Sequence, residues 1–239
     1  MFIHYIPLAT TLFAAYFAVL LFKHFTHKPD SLHLLWWGIG VVTYGIGTLL
    51  ESLISIFGWH EISFRLWYIA GALLGGAPLA QGTVYLFLKK RTAHMLTAGL
   101  LSVVIFGAIM VLLTPLDHSL VNPSLPQGNV IEWHWVRLIS PFINTYAFIF
   151  LVGGAIYSAF KYRKEVEMRH RVVGNTLIAI GAILPGIGGA MSRAGYTQVL
   201  YVAEFVGIIL IFAGYRKCVG VFDIAKGSES EANPFHTLE

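Results

Sequence analysis

Charge is scarce in this chain. Asp, Glu, Lys and Arg make up 12% of its 239 residues while hydrophobic types make up 56%, at a mean hydropathy of +0.71, which excludes an ordinary soluble globular domain. Cysteine is nearly absent: the single Cys218 excludes an intrachain disulfide and reads as a reduced thiol near a membrane interface. There is no nucleophile elbow, no H-E-x-x-H, no Walker loop and no C-x-x-C, so no catalytic motif argues for an enzyme. All ten histidines fall in loops, tails or helix ends, which argues against a haem held by facing histidines in mid-membrane, and no resident cofactor or metal is expected. The first 22 residues lack a cationic start and a small-residue cleavage site, so their apolar run is expected to be retained as an anchor.

What the chain has in abundance is long apolar runs. Crossing a hydrocarbon layer takes about 20 mostly apolar residues, and seven stretches qualify: roughly 5–22, 34–57, 66–88, 95–115, 136–160, 172–192 and 198–215. The expected fold class is all-α, a polytopic membrane protein built as a bundle of seven transmembrane helices over residues 1–222, followed by a polar, disordered tail over 223–239. A Schiff-base retinal photoreceptor of this helix number would need a lysine within the last helix, and "VLYVAEFVGIILIFAGY" has none.

Thirteen of the 16 Lys and Arg residues fall before, between or after the runs on one side: Lys23 and Lys28, "KKR" at 89–91, five in "KYRKEVEMRHR", then Arg216, Lys217 and Lys226. Short cationic loops stay cytoplasmic, so the N-terminus is expected outside and the C-terminus inside. The net charge of +4 then reports topology and membrane lipids as surroundings, not nucleic acid.

Within "GIGTLLESLISIF", residues 45–57, Glu51 is the one charge, six residues from the end of the run and about 9 Å below it. Glu204 in the seventh run lies at similar depth. The three cations outside the cytoplasmic set, Arg65, Arg137 and Arg193, stand at the outer ends of the runs. An ionised group in hydrocarbon is costly, so Glu51 is expected to face the bundle interior and meet one of these arginines. The candidate ligand site is therefore Glu51, Arg65, Tyr68, Arg137, Arg193, Tyr201 and Glu204, extended by Tyr44, Gln81 and Asn144. Its three guanidiniums would favour an anion. The structural alternative is an ion pair, Glu51 with Arg65, that only holds two helices in register.

Glycine and proline shape the rest. "AGALLGGAP" offers a small-residue face for close helix packing, and Pro78, Pro141 and Pro185 are expected to kink the third, fifth and sixth helices.

The run "LLWWGIGVVTYGIGTLLESL", followed by "RLWYIAGALLGGAPLAQGTVYLFL", resembles helices 2 and 3 of the seven-helix sensory input regions that precede some bacterial histidine kinases. The shared features are a Trp, an acid about two turns after an aromatic, an aromatic-rich start to the next helix and a Pro within it. The closing "ILPGIGGAMSRAGYTQVLYVAEFVGIILIFAGYRKCVGVFDIAK" is similar to the last two helices of those regions, with a proline-bearing sixth helix and a basic exit. The resemblance carries over Trp37, Glu51, Tyr68, Pro78 and Pro185, and implies a sensor or receptor in a bacterial or archaeal cytoplasmic membrane. Those kinases continue into a long output module, whereas 17 residues follow Phe222 here, so a signal is expected to pass to a separate cytoplasmic or membrane partner. A transporter, or a membrane subunit of a larger electron-transfer or biosynthetic complex, is the alternative of a different class.

Overall fold

The structure, a computed structural model, describes residues 5–231, with side chains as far as residue 219 except those of Arg193 and Thr197. The described chain is all-α. Its helical segments are α1 (Ile6–His27), α2 (Leu32–Phe57), α3 (Glu61–Phe87), α4 (Lys90–Leu113), α5 (His134–Tyr162), α6 (Arg169–Arg193) and α7 (Thr197–Glu231). Each of the seven contains a stretch long and apolar enough to cross a membrane, within a few residues of the runs seen in the sequence. The polar tail expected over 223–239 lies outside the described side chains, and from 232 outside the described residues.

α6 and α7 pack most intimately, because glycines remove the side chains between them. A Cβ on Gly181 would stand 2.6 Å from the Gly207 carbonyl, and Gly174 faces Gly214 in the same way. α1 lies on α2 and α7, tied by a Thr11–Thr48 hydroxyl hydrogen bond of 2.9 Å and by His24 Nδ1 and the Tyr215 hydroxyl at 2.7 Å. On the other side α3, α4 and the first half of α5 share a core of Phe64, Leu73, Val104, Val111 and Ile143. α2 runs between the two groups.

α3 is not a kinked continuous helix, as Pro78 suggested. It runs as α-helix over Glu61–Trp67 and as a π-turn over Tyr68–Leu73, breaks at 74–76, and restarts at Ala77–Phe87. Pro78 occupies the first turn of the restarted helix, where its missing N–H interrupts nothing. Pro141 and Pro185 do lie inside α5 and α6, and α5 carries a second π-turn at Phe148–Val152.

That second π-turn marks where α5 changes partners. Its residues up to Ala147 lean on α3 and α4, whereas the π-turn and the residues beyond it pack on α6 as well as on the restarted half of α3. The first half of α5 and the second half of α6 are left apart, with a space between them.

The 114–133 segment closes one end of the bundle. It pairs with itself at Leu116 and Ile131 and buries Val130 and Ile131 against Phe64 and Tyr68. Asp117 accepts hydrogen bonds from the Ser119 amide and hydroxyl, which hold its carboxylate below its ordinary range. The opposite end, bearing most of the cations, is filled by Phe17, Leu21, Leu34, Val41, Leu79 and Ala80. There Gln81 is fully enclosed, accepting from the Tyr146 hydroxyl at 2.6 Å and donating to Thr97 and to the Ala93 carbonyl.

Candidate functional site

Between the two helix groups, below the 114–133 cap, lies a cavity of about 1270 Å³. Both irregular stretches of α3 and α5 border it: Tyr68, Gly71 and Gly75 on one side, Phe148 and Leu151 on the other. π-turns are rare and concentrate at functional sites. Here the interruption of α3 exposes backbone that α5 must satisfy, and the Ala72 carbonyl accepts from Ser140 Oγ at 2.6 Å and Asn144 Nδ2 at 3.2 Å. Trp67 and Tyr68, ring centroids 6.2 Å apart, form an aromatic wall. Gly186 and Gly189 of α6 form the facing wall, where an added Cβ would meet nothing within 4 Å.

Two carboxyl groups line this space. Glu51 of α2 is 2% exposed, and its carboxyl meets that of Glu204 of α7 within hydrogen-bonding reach. The Tyr44 hydroxyl donates to the Glu204 backbone carbonyl at 3.0 Å and so ties α2 to α7 one step below the pair. Glu204 Oε2 is fully enclosed and has no hydrogen-bond partner, and among the described residues no donor reaches Glu51.

Arg137 also lines the cavity. Its guanidinium makes no ion pair or hydrogen bond among the described residues, and its charge acts on the nearby Tyr68 hydroxyl.

The sequence-derived set thus divides. Glu51, Tyr68, Arg137 and Glu204 border one cavity, together with Tyr44 and Asn144. Arg65 does not border it: Nε and Nη2 hold Glu61 Oε1 at 3.0 and 2.8 Å, while Nη1 donates to the Val111 carbonyl of α4. The Glu51–Arg65 pair, the structural alternative, therefore does not form, because Arg65 projects toward α4, and Glu61 one turn before it is the nearer acid. Tyr201 is buried beside the site with its hydroxyl on Ser55 Oγ at 3.1 Å, and Ser55 in turn donates to the Ser124 carbonyl of the cap. The Arg193 side chain lies outside the described residues. Gln81 belongs to the closed end.

Sequence reasoning placed the two acids at one depth but paired them with arginines and not with each other. It also read Gly71, Gly75 and Gly76 only as a packing face. Gly47 does approach Gly71 closely, since a Cβ there would be 3.2 Å from the Gly71 Cα, but Gly75 and Gly76 border the cavity. A Pro directly after Gly-Gly-Ala was the available signal that α3 restarts there. Comparisons with family models, with curated proteins and with solved structures find no match for this chain, so the functional reading rests on this site.

Proposed function

We propose that this protein is a membrane receptor or sensor. It binds a small molecule in the cavity bordered by Glu51 and Glu204 and passes the signal to a separate partner. The single observation that carries this reading is a large cavity ending on a carboxyl pair that no donor reaches among the described residues. Tight packing with apolar residues would serve stability better, since burying ionisable groups without partners is unfavourable. A ligand that supplies the missing contacts removes that disadvantage, which makes the bound state distinguishable from the empty one.

In the orientation that the cations favour, the cavity lies in the extracytoplasmic half and the closed end faces the cytoplasm. The interrupted α3, the π-turn of α5 and the proline inside α6 all border the cavity. These are places where helices can rearrange at low cost. The closed end is packed with Phe17, Leu21, Leu34 and Val41 around the hydrogen-bonded Gln81, Thr97, Tyr85 and His94, and none of these residues borders the cavity, which favours sensing over transport.

The test is a thermal-shift screen of the purified protein against anionic, neutral and cationic small molecules. At least one class should raise the melting temperature of the wild type and fail to do so for Glu204→Gln. A screen without any response would return the protein to the class of structural membrane subunits. Crosslinking in native membranes, followed by identification of the captured protein, then tests for the separate partner.

A further inference from the structure

The proposed site has a charge problem that its own residues do not solve. Glu51, almost fully buried, and Glu204, half-buried, meet at the border of the cavity, where two ionised carboxylates side by side repel strongly. Something positive must sit between them, either a proton that they share or a cation. Neither described arginine of this half takes that place: Arg65 is held by Glu61 and Val111, and Arg137 borders the same cavity at Tyr68 without an ion pair to either acid.

The rest of the cavity indicates what kind of cation. Trp67 and Tyr68 give it aromatic faces, which attract ammonium groups. It extends to the gap between α5 and α6, where Leu138, Phe148 and Ile187 border the cavity and are 69%, 58% and 50% exposed on the flank of the bundle. These three give the gap an apolar rim, with Asn144 the polar residue of α5 beside it, and it opens where hydrocarbon surrounds a spanning helix. Resting on the reading of this cavity as a ligand site, we infer that its ligand is a cationic amphiphile. An alkylammonium head group sits between Glu51 and Glu204, and an aliphatic tail leaves between α5 and α6 into the bilayer. This reverses the anion expected from the sequence, because of the two arginines with described side chains only Arg137 borders the cavity and Arg65 is turned to Glu61 and Val111.

Binding is then an exchange. The ammonium replaces the proton shared by the pair, so affinity rises with pH by up to about tenfold per unit while the pair still holds its proton. The other titratable or charged groups facing this space are Tyr44 on α2, Tyr68 on α3, His134 and Arg137 on α5 and, beside the pair, Tyr201 on α7. The described part of α6 contributes Pro185, Gly186 and Gly189 and no charge.

The experiment uses the full chain in nanodiscs of phosphatidylglycerol, whose head group carries no ammonium, with dodecylamine, dodecanoate and butylamine as probes. Dodecylamine is expected to raise the melting temperature by a few degrees at saturation. Its affinity should fall at least tenfold in the Glu51→Gln/Glu204→Gln double variant and in Gly186→Phe, which fills the gap. Butylamine should bind at least tenfold more weakly than dodecylamine, since it lacks the tail. The pH dependence should persist in His134→Gln. Stabilisation by dodecanoate with none by dodecylamine would overturn the cationic ligand while leaving a small-molecule site in place. Equal binding of butylamine would overturn the route between α5 and α6, and a pH-independent affinity would overturn the proton exchange. Unchanged dodecylamine binding in the folded double variant would overturn the seat itself. No response to any probe would overturn the inference, and the wider screen above would then decide the ligand site separately.

Discussion

Replacing Glu51 by Gln keeps its size, removes its charge, and supplies an N–H that can donate to Glu204. Had Glu51 been paired with an arginine, this change would strand a buried cation and cost several kcal/mol. Beside another carboxyl the sign is different: Glu51→Gln should leave the ligand-free protein as stable as the wild type or slightly more so, within about 1 kcal/mol. Thermal unfolding in detergent measures this, and a large loss would mean that the acid has a cationic partner after all. The two described arginines separate in the same assay. Arg65→Ala removes a hydrogen bond to the Val111 carbonyl as well as the exposed pair with Glu61, for a loss of about 1–2 kcal/mol. Arg137→Ala removes no described bond and should change stability by less than about 0.5 kcal/mol. Of these residues, the sequence revealed depth but not partners. Glu51 and Glu204 could be placed from helix ends and rise per residue, whereas the direction of Arg65 depends on how α3 is rotated against α4, and its apolar pattern does not fix that.

Among the elements, the spans were the most legible feature, since a run of apolar residues long enough to cross a bilayer has few alternative uses. The break in α3 was not, because a proline after glycines is compatible with a kink inside a helix or with the first turn of a new one. The cavity follows from that break and from the change of partners at the α5 π-turn, both of which are tertiary events. Glycines on α6 show how one residue type serves two purposes within one helix. Gly181→Ala places a methyl group against the Gly207 carbonyl and should lower stability by about 1–3 kcal/mol by forcing α6 from α7. Gly186→Ala points into open space and should raise stability by about 0.5–1 kcal/mol, from the lower helix propensity of glycine. Comparing the two melting temperatures checks the assignment of faces; equal losses would mean that α6 is rotated away from the cavity.

At the scale of the molecule, the direction of signalling depends on which end faces which compartment. The cap at 114–133 and the cation-rich connections lie at opposite ends of the bundle, so one measurement fixes both. In a Cys218→Ser background, Pro123→Cys lies on the exposed surface of the cap and Lys164→Cys on the exposed connection before α6. An impermeant maleimide added to intact cells should label the first and reach the second only after the membrane is opened. The proposed receptor needs this result, because its closed, basic end must face the partner that reads it. The reverse pattern would place the carboxyl pair in the cytoplasmic leaflet and the mouth between α5 and α6 with it. A cationic amphiphile would then be drawn from the leaflet whose anionic lipids concentrate cations, and the closed end would face outward, where a cytoplasmic signalling partner has no access. The cavity and its chemistry would survive that outcome, but the direction of signalling would not, and a role in taking amphiphiles out of the inner leaflet would become the better reading.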